Sequence, residues 1–179
     1  MSLRSLCVFC GSSFGHDPKW QEAARVLGRG IAAAGITLVY GGSHSGLMGQ
    51  VAEAALTMGG RVEGVIPRHL LPGEDPYDQI TELTVVEDMH TRKKLMFDKA
   101  DAFCVFPGGI GTMDETFEIL TWRQLGLHEK PVYLVNLDGY WKPWIDLVEE
   151  IISQGFAKRE VHGYYTPFDS VEALLKAVL

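Results

Sequence analysis

Short, almost wholly apolar runs alternate along the chain with longer segments whose apolar residues recur every three or four positions. The short runs predict buried strands, and the longer segments predict amphipathic helices. We predict strands at residues 3–10, 36–40, 61–66, 80–86, 102–106 and 131–136, and helices from about 18 to 34, 45 to 58, 89 to 99, 112 to 125, 141 to 153 and 170 to 178. Strands that are apolar on both faces and separated by helices indicate a parallel sheet covered on both sides. The expected fold is therefore a Rossmann-like, doubly wound α/β domain with a mainly parallel sheet.

Residues that typically start and stop helices support these boundaries. Asp17 and Pro18 are typical of an N-cap followed by the first helical position, and Gly35 is typical of a helix end. Residues 67–79 contain three prolines and little periodicity, which predicts a loop. The chain has no internal repeat and no linker-like segment, so we expect residues 1–179 to form a single domain.

The charge of the chain limits the partners that it can attract. Its formal net charge is −7, from 16 Lys and Arg against 23 Asp and Glu. Nucleic-acid polymers and anionic membranes attract basic surfaces, so we expect neither as a partner. One small anion remains an acceptable ligand, because a local set of donors is enough to bind it. No apolar stretch reaches the roughly 18 residues of a membrane span and no signal pattern is present, so we expect a cytoplasmic protein.

The three cysteines favour the same compartment. Cys7, Cys10 and Cys104 are an odd number in a chain much longer than a typical disulfide-stapled domain. Cys7 and Cys10 form a C-x-x-C pattern, but they lie in a predicted strand, where residues three apart point to opposite faces. No second pair is present to complete a zinc site. We therefore predict core thiols, and we expect no metal.

Two glycine-rich loops each follow a predicted strand and precede a predicted helix, at residues 41–49 and 107–112. Neither carries the dinucleotide fingerprint G-x-G-x-x-G, and Leu47 occupies the position where a P-loop needs lysine. Unpaired N–H groups at a helix start form an anion site, which suits one phosphate. The alternative is that the glycines only form tight turns. Because two such loops lie at one edge of the sheet, we favour a binding site over simple tight turns.

The residues after the second loop combine a structural signal with a chemical one. Thr112 and Glu115 have the T-x-x-E spacing of a capping box, which predicts a helix starting at Thr112 with Glu115 in its first turn. Glu115 would then lie roughly 5 Å along the helix axis from a phosphate at the loop. The helix dipole would help to keep this carboxylate ionised.

A cationic run, residues 90–94, stands at the start of another predicted helix. Cations near a helix N-terminus are slightly unfavourable, so a bound anion or Glu115 would offset the cost, although exposure to water would also suffice. Arg92 is always protonated and is expected to pair with Glu115 and hold its pKa low.

Several segments together resemble one known family. They are Pro107-Gly108-Gly109-Ile110-Gly111-Thr112-Met113-Asp114-Glu115, Met89-His90-Thr91-Arg92-Lys93, Cys10-Gly11-Ser12-Ser13, Tyr40-Gly41-Gly42 with Gly46-Leu47-Met48-Gly49, and Thr121-Trp122 with Gln124-Leu125-Gly126. These segments resemble the LOG family of cytokinin riboside 5′-monophosphate phosphoribohydrolases, formerly labelled lysine decarboxylases, from about residue 5 to 160. The chain departs from many members at Ser43, where they carry a third glycine.

The resemblance implies hydrolysis of the N-glycosidic bond of a purine nucleoside 5′-monophosphate, giving free base and ribose 5-phosphate. It implies Glu115 and Arg92 as the catalytic pair. The positions implied to bind the substrate or its phosphate are Gly108, Gly109, Gly111, Thr112, Lys93, Glu74, Thr121, Gly42, Ser43 and Ser12. The resemblance also implies a homodimer and requires no cofactor. A fixed carboxylate suits this reaction, because breaking the bond leaves positive charge on the sugar.

Two other functions remain open on the sequence alone. A Rossmann-like domain can bind a nucleotide without turning it over, as a carrier or sensor. A decarboxylase dependent on pyridoxal phosphate would need a Schiff-base lysine, for which Lys93 and Lys94 are available. The residues also leave open whether the base is adenine, an N6-substituted adenine or another base.

Overall fold

The computed structural model describes residues 3–72 and 75–178. In these residues the strands are β1 Ser5–Phe9, β2 Thr37–Tyr40, β3 Val62–Pro67, β4 Glu82–Val86, β5 Ala102–Val105, β6 Val132–Val135 and β7 Thr166–Phe168. The α-helices are α1 Lys19–Ala33, α2 Gly46–Thr57, α3 Met89–Lys99, α4 Ile110–Gln124, α5 Lys142–Ser153 and α6 Val171–Val178. None of these helices is long and apolar enough to cross a membrane.

The described strands form one sheet in the order β4-β3-β2-β1-β5-β6-β7, and each pairing between them is parallel. The predicted Rossmann-like, doubly wound fold is therefore confirmed. The strand order reverses between β1 and β5, where the connections leave the sheet in opposite directions. A crevice forms at such a switch point, beyond the carboxyl ends of the strands. Gly11, just after β1, donates from its N–H to the carbonyl oxygen of Pro107, just after β5, at 3.1 Å.

Helices cover both faces of the sheet, and the cysteines show how the strands alternate between the two faces. Cys7 packs in the cluster that contains residues of α3, α4 and α5, whereas Cys10 packs in the cluster on the α1, α2 and α6 side. All three cysteines in the described part of the chain are buried free thiols. Burial raises the pKa of Cys104 to about 12 and the pKa of Cys7 and Cys10 well above the usual value. They are core thiols, as predicted.

Most predicted boundaries lie within a few residues of the observed ones, and α3 agrees at both ends. The sequence pattern did not predict β7 or the 3-10 helix at Arg159–Tyr164. β7 is only three residues long and contains Pro167, so it carries neither an apolar run nor the usual strand composition. At the start of α1, Asp17 Oδ1 accepts a hydrogen bond from the N–H of Lys19 at 2.9 Å, while Pro18 is the N-cap residue.

Candidate active site

A cavity of about 190 Å³ opens at the switch point, beyond the carboxyl ends of β1 and β5. Residues from the end of β1 and the loop after it, the β2 loop, α2, α3 and the start of α4 form its walls. The structure brings six of the predicted site residues together here: Ser12, Arg92, Gly109, Gly111, Thr112 and Glu115. Gly41 and Met48, which belong to the first glycine-rich loop and the family motif but were not predicted to bind the substrate, also line the cavity, as does Met96. Met96 is equally typical of a helix core, so no sequence signal marked it.

The N-terminus of α4 faces this cavity without a side-chain cap. The helix begins at Ile110, with Gly109 as the N-cap residue, and none of the described side chains accepts a hydrogen bond from its first turn. The first N–H groups of a helix have no intrahelical acceptor, so those of α4 are available to an anion. The predicted capping box is wrong, because the extended backbone of Gly109 lets the helix start two residues before Thr112. Glu115 consequently lies in the second turn, as the sixth helical residue.

The glycines of this loop differ in what they contribute. A Cβ atom on Gly108 would collide with the Thr112 hydroxyl and would stand 2.8 Å from the Gly11 nitrogen, so the close approach of the two loops requires glycine there. Cβ atoms on Gly109 or Gly111 would meet no described atom within 4 Å. These two glycines therefore leave open space at the helix start that the folded chain does not need for its own packing. Such space suits a ligand that approaches the backbone closely.

Glu115 pairs with Arg92 in the wall of the cavity. Arg92 Nη1 lies 3.4 Å from Glu115 Oε1, and each side chain is 11% exposed. Arg92 also donates from Nε to the carbonyl oxygen of Val65 at 3.1 Å and from Nη2 to that of Gly41 at 3.4 Å. A Cβ atom on Gly41 would collide with Arg92 Nη2, so glycine is required where the guanidinium crosses the β2 loop. The carbonyl oxygens at the ends of β2 and β3 thus hold Arg92 in place.

The pKa of Glu115 differs from the sequence expectation. Burial raises it to about 7, although the positive charge of Arg92 lowers it. The expectation that Arg92 and the helix dipole hold this pKa low is wrong, because the cost of burying the carboxylate outweighs their attraction. A carboxyl with a pKa near neutrality can both give and accept a proton at physiological pH, as a general acid or base must.

Lys93 lies outside the cavity wall. Its Nζ is 3.1 Å from Asp114 Oδ2 and 3.1 Å from Glu118 Oε1, both on α4, and its side chain is 12% exposed. Burial lowers the pKa of Lys93, but the hydrogen bonds to Glu118 and Asp114 outweigh this effect and place the pKa above its usual value. Lys93 therefore connects α3 to α4 and is not among the described residues that line the cavity.

Gly42 and Ser43 shape the β2 loop. Gly42 has a φ of +80°, which favours glycine, and its carbonyl oxygen accepts a hydrogen bond from the N–H of Tyr77 at 3.0 Å. Ser43 is fully buried and its hydroxyl accepts a hydrogen bond from the N–H of Ser45 at 3.1 Å. The serine that replaces a third glycine thus stabilises the turn before α2. Neither residue is among the described residues of the cavity wall.

The remaining predicted positions lie elsewhere. Thr121 is exposed on α4, six residues beyond Glu115. Glu74 lies outside the described residues. Gly108 lines a second cavity of about 260 Å³, which adjoins the first and shares Gly11, Ser12 and Gly109 with it.

Two aromatic residues of the second cavity are functional candidates that the sequence analysis missed. Trp20 and Tyr140 meet edge to face with their ring centres 5.4 Å apart, and the Tyr140 hydroxyl donates to the carbonyl oxygen of Gly108 at 2.6 Å. Trp20 has the spacing of an ordinary core residue of α1, and Tyr140 lies in a turn without a motif, so neither carried a signal. The hydrogen bond fixes the loop that precedes the open N-terminus of α4. No group of three or more metal-ligating side chains occurs in residues 3–72 and 75–178.

Comparisons with known proteins identify the family of the chain. Residues 48–178 match a family described as "Possible lysine decarboxylase". The chain is 47% identical over 154 residues to the cytokinin riboside 5′-monophosphate phosphoribohydrolase LOG7 of Arabidopsis thaliana, covering 86% of this chain and 71% of the relative. It is 45% identical over 154 residues to the cytokinin riboside 5′-monophosphate phosphoribohydrolase LOG of Oryza sativa subsp. japonica, covering 86% of this chain and 64% of the relative.

Solved structures show the fold alone. The molybdenum cofactor carrier protein of Chlamydomonas reinhardtii has a TM-score of 0.72 at 20% identity, over 98% of this chain and 95% of that chain. The molybdenum cofactor binding protein of Rippkaea orientalis has a TM-score of 0.73 at 21% identity, over 99% and 96%. The same sheet and helices thus recur at an identity too low to transfer a ligand.

Proposed function

The chain belongs to the LOG family of cytokinin riboside 5′-monophosphate phosphoribohydrolases, and we propose that it hydrolyses the N-glycosidic bond of purine nucleoside 5′-monophosphates. The products are the free base and ribose 5-phosphate, and with an N6-substituted adenine the reaction releases an active cytokinin. One observation carries the proposal. A buried carboxyl, Glu115, is held by Arg92 five residues beyond the uncapped, glycine-lined start of α4.

The start of α4 binds the 5′-phosphate. Its free N–H groups point toward the ligand, and the positive end of the helix dipole favours the negative charge. Gly109 and Gly111 leave room for phosphate oxygens to approach the backbone. Thr112, which is buried and lines the cavity, adds a hydroxyl donor. A protein of net charge −7 thus binds an anion through main-chain groups.

Glu115 acts on the sugar. When the bond between C1′ and the base breaks, its electron pair leaves with the base and positive charge develops on the ribose. The carboxylate of Glu115 stabilises this charge and accepts a proton from the water that attacks C1′, while the nitrogen of the departing base takes up a proton from solvent and Glu115 then returns its own proton to solvent. Arg92 acts through Glu115, because its three guanidinium nitrogens are already engaged with Glu115 and with the carbonyl oxygens of Val65 and Gly41.

The environment of Lys93 disfavours a decarboxylase. A lysine that forms a Schiff base must lose its proton, and active-site lysines do so when desolvation or nearby cations lower their pKa. Lys93 instead pairs with Asp114 and Glu118, which place its pKa above the usual value. The family description "Possible lysine decarboxylase" therefore finds no support in this side chain.

We also propose that residues 1–179 act as one unit in the cytoplasm, as a homodimer that binds neither membranes nor nucleic-acid polymers. The acidic net charge and the buried free thiols support the compartment and the partners. Exposed apolar side chains at both ends of α4, Ile110 and Leu125, support contact with a second copy along this helix. Light scattering coupled to gel filtration tests the dimer, and a mass of one chain would contradict it.

Product release tests the proposed reaction. Purified protein is incubated with AMP and with N6-isopentenyl-AMP, and free base is measured by chromatography. We expect release from at least one substrate, and a loss of at least about a hundredfold in kcat for Glu115→Gln with AMP binding largely retained. Glu172→Gln, an exposed change on α6, is the matched control and keeps full activity. Binding without release at high enzyme concentration would indicate a carrier and contradict the proposal.

A further inference from the structure

Lys93 lies at the contact between α3 and α4. It follows Arg92 directly in the sequence, but it is not among the described residues that line the cavity of Arg92 and Glu115. Its Nζ lies 3.1 Å from one carboxylate oxygen of Asp114 and 3.1 Å from one of Glu118. Only 12% of the side chain is exposed, although Asp114 is more than half exposed. Two of the three ammonium donors are thereby used within the protein.

The two partners of Lys93 stand on either side of Glu115 in the helix. Asp114 precedes Glu115 by one residue and Glu118 follows it by three, about one turn. Both negative charges raise the pKa of Glu115, and Lys93 lowers it. Among the residues that the structure describes, the other charged group that faces Glu115 is Arg92 of α3.

Two thiols also lie within electrostatic range of Glu115. Cys7 of β1 and Cys10, which follows this strand, pack on opposite faces of the sheet, and burial raises the pKa of both thiols well above the usual value. They therefore remain neutral over the pH range in which Glu115 titrates. The charge balance around Glu115 thus consists of Arg92 and Lys93 against Asp114 and Glu118.

We propose that Lys93 is a positioning residue for Glu115: its ammonium joins α3 to α4 and offsets part of the negative charge of the two carboxylates beside Glu115, which keeps Glu115 available in its ionised form. This inference rests on the role of Glu115 in the proposed function. It assigns Lys93 an action through the protein, whereas the family resemblance implies contact with the substrate. The two ion pairs of a largely covered side chain favour the first role, since substrate contact would require breaking them.

The pH profile of kcat/KM distinguishes these roles. Lys93→Met removes the charge and keeps an apolar stem in the buried position. We expect the acid limb of the profile to move up by about one pH unit, so that kcat/KM at pH 6 falls about tenfold while the value at pH 9 stays within about twofold. Lys93→Arg restores most of the native profile. Lys94→Met removes an equal charge from the exposed pair with Asp98 and is the control that leaves the profile in place.

A charge-balanced variant gives the sharpest contrast. Lys93→Met combined with Asp114→Asn removes one positive and one negative charge beside Glu115, so we expect the acid limb to return to within about 0.3 units of the native one. A phosphate-binding lysine would instead raise KM at every pH, with no recovery in the balanced variant. That result, or a Lys93→Met profile equal to the native one, would overturn the inference.

Asp114→Asn alone tests the same coupling if Lys93→Met does not fold, because Asp114 is largely exposed. Its removal is expected to move the acid limb down by about one unit, a roughly fivefold gain in kcat/KM at pH 6. An unchanged limb contradicts the inference.

A measurement without substrate separates this inference from the proposed function. The free energy of unfolding is followed against pH in native protein and Lys93→Met, each with and without Glu115→Gln. We expect the change that depends on Glu115 to move to higher pH in Lys93→Met by the same one unit or so. If this shift is observed but no base is released, the proposed function is contradicted and the charge coupling between Lys93 and Glu115 is supported. Base release without the shift would reject the role of Lys93 alone.

Discussion

Arg92 Nη1 lies 3.4 Å from Glu115 Oε1, with both side chains about nine-tenths buried. This separation exceeds the roughly 2.8 Å of a charge-assisted hydrogen bond, so the attraction offsets only part of the cost of burial. The result is a carboxyl whose pKa is raised to about 7 beside an arginine that main-chain carbonyl oxygens hold in place. Glu115 therefore changes charge near neutral pH, while Arg92 does not.

Activity is expected to follow the ionisation of Glu115. The reaction needs the carboxylate form, so kcat/KM rises about tenfold per pH unit below pH 7 and levels off above it. Rates with AMP measured from pH 5 to pH 9 check this expectation. A limb centred near 4.5, the ordinary value for glutamate, would show that burial does not control the carboxyl in the free enzyme.

Stability is expected to change in the opposite direction. Between about pH 4.5 and pH 7, folded Glu115 holds a proton that the unfolded chain has released, so the free energy of unfolding falls as the pH rises. The loss is about 3 kcal/mol and is complete above pH 7. Urea unfolding at pH 4.5 and pH 8 measures it. Glu115→Gln should lack this loss and be the more stable protein at pH 8, whereas Glu172→Gln should retain it.

Gly41 is expected to matter through Arg92 alone. A Cβ atom there would collide with Arg92 Nη2 and would stand 2.8 Å from Met48 Sδ, both of which belong to flexible side chains. Gly41→Ala should therefore fold and lose about ten- to a hundredfold in kcat by displacing the guanidinium from Glu115. In an Arg92→Ala background the same change should have little further effect, because the displaced group is absent. Additive losses in this double-mutant cycle would contradict the explanation.

The sequence predicts those features that depend on local pattern. The bounds of α3, the parallel sheet and the glycine loop before α4 all follow from periodicity and turn residues within short segments. The raised pKa of Glu115 does not, because it depends on burial by residues from distant strands and helices.

The ion-pair partners of α3 and the start of α4 also depend on structure beyond the local sequence pattern. Lys93 and Arg92 are adjacent in the sequence, yet only the packing of α3 against α4 turns one toward Asp114 and Glu118 and the other toward Glu115. The capping box at Thr112 failed because the backbone of Gly109 set the helix start. Spacing alone gives the correct residue types but not their partners.

Gly111 is expected to lower the free energy of unfolding and to favour the binding of AMP. It lies in the first turn of α4, where alanine would be the better helix former, and a Cβ atom there meets no described atom within 4 Å. Gly111→Ala should raise the free energy of unfolding by up to about 1 kcal/mol and weaken AMP binding, since the methyl group enters the space proposed for phosphate. Gly163→Ala also points into open space, but outside the site, and is the control for binding. Tighter or equal AMP binding by Gly111→Ala in calorimetry would argue against phosphate at this helix start.

Tyr140 is expected to act on substrate binding through the glycine loop. Its hydroxyl donates to the carbonyl oxygen of Gly108 at 2.6 Å, one residue before the N-cap of α4. Tyr140→Phe removes this hydrogen bond, worth about 1 kcal/mol, and keeps the ring against Trp20. We expect KM for AMP to rise about three- to tenfold with kcat within twofold, because the loop loses order while Glu115 and Arg92 stay in place. Tyr133→Phe on β6 is the control. A fall in kcat at constant KM would place Tyr140 in the chemical step, and no change in either constant would show that the loop holds its shape without this bond.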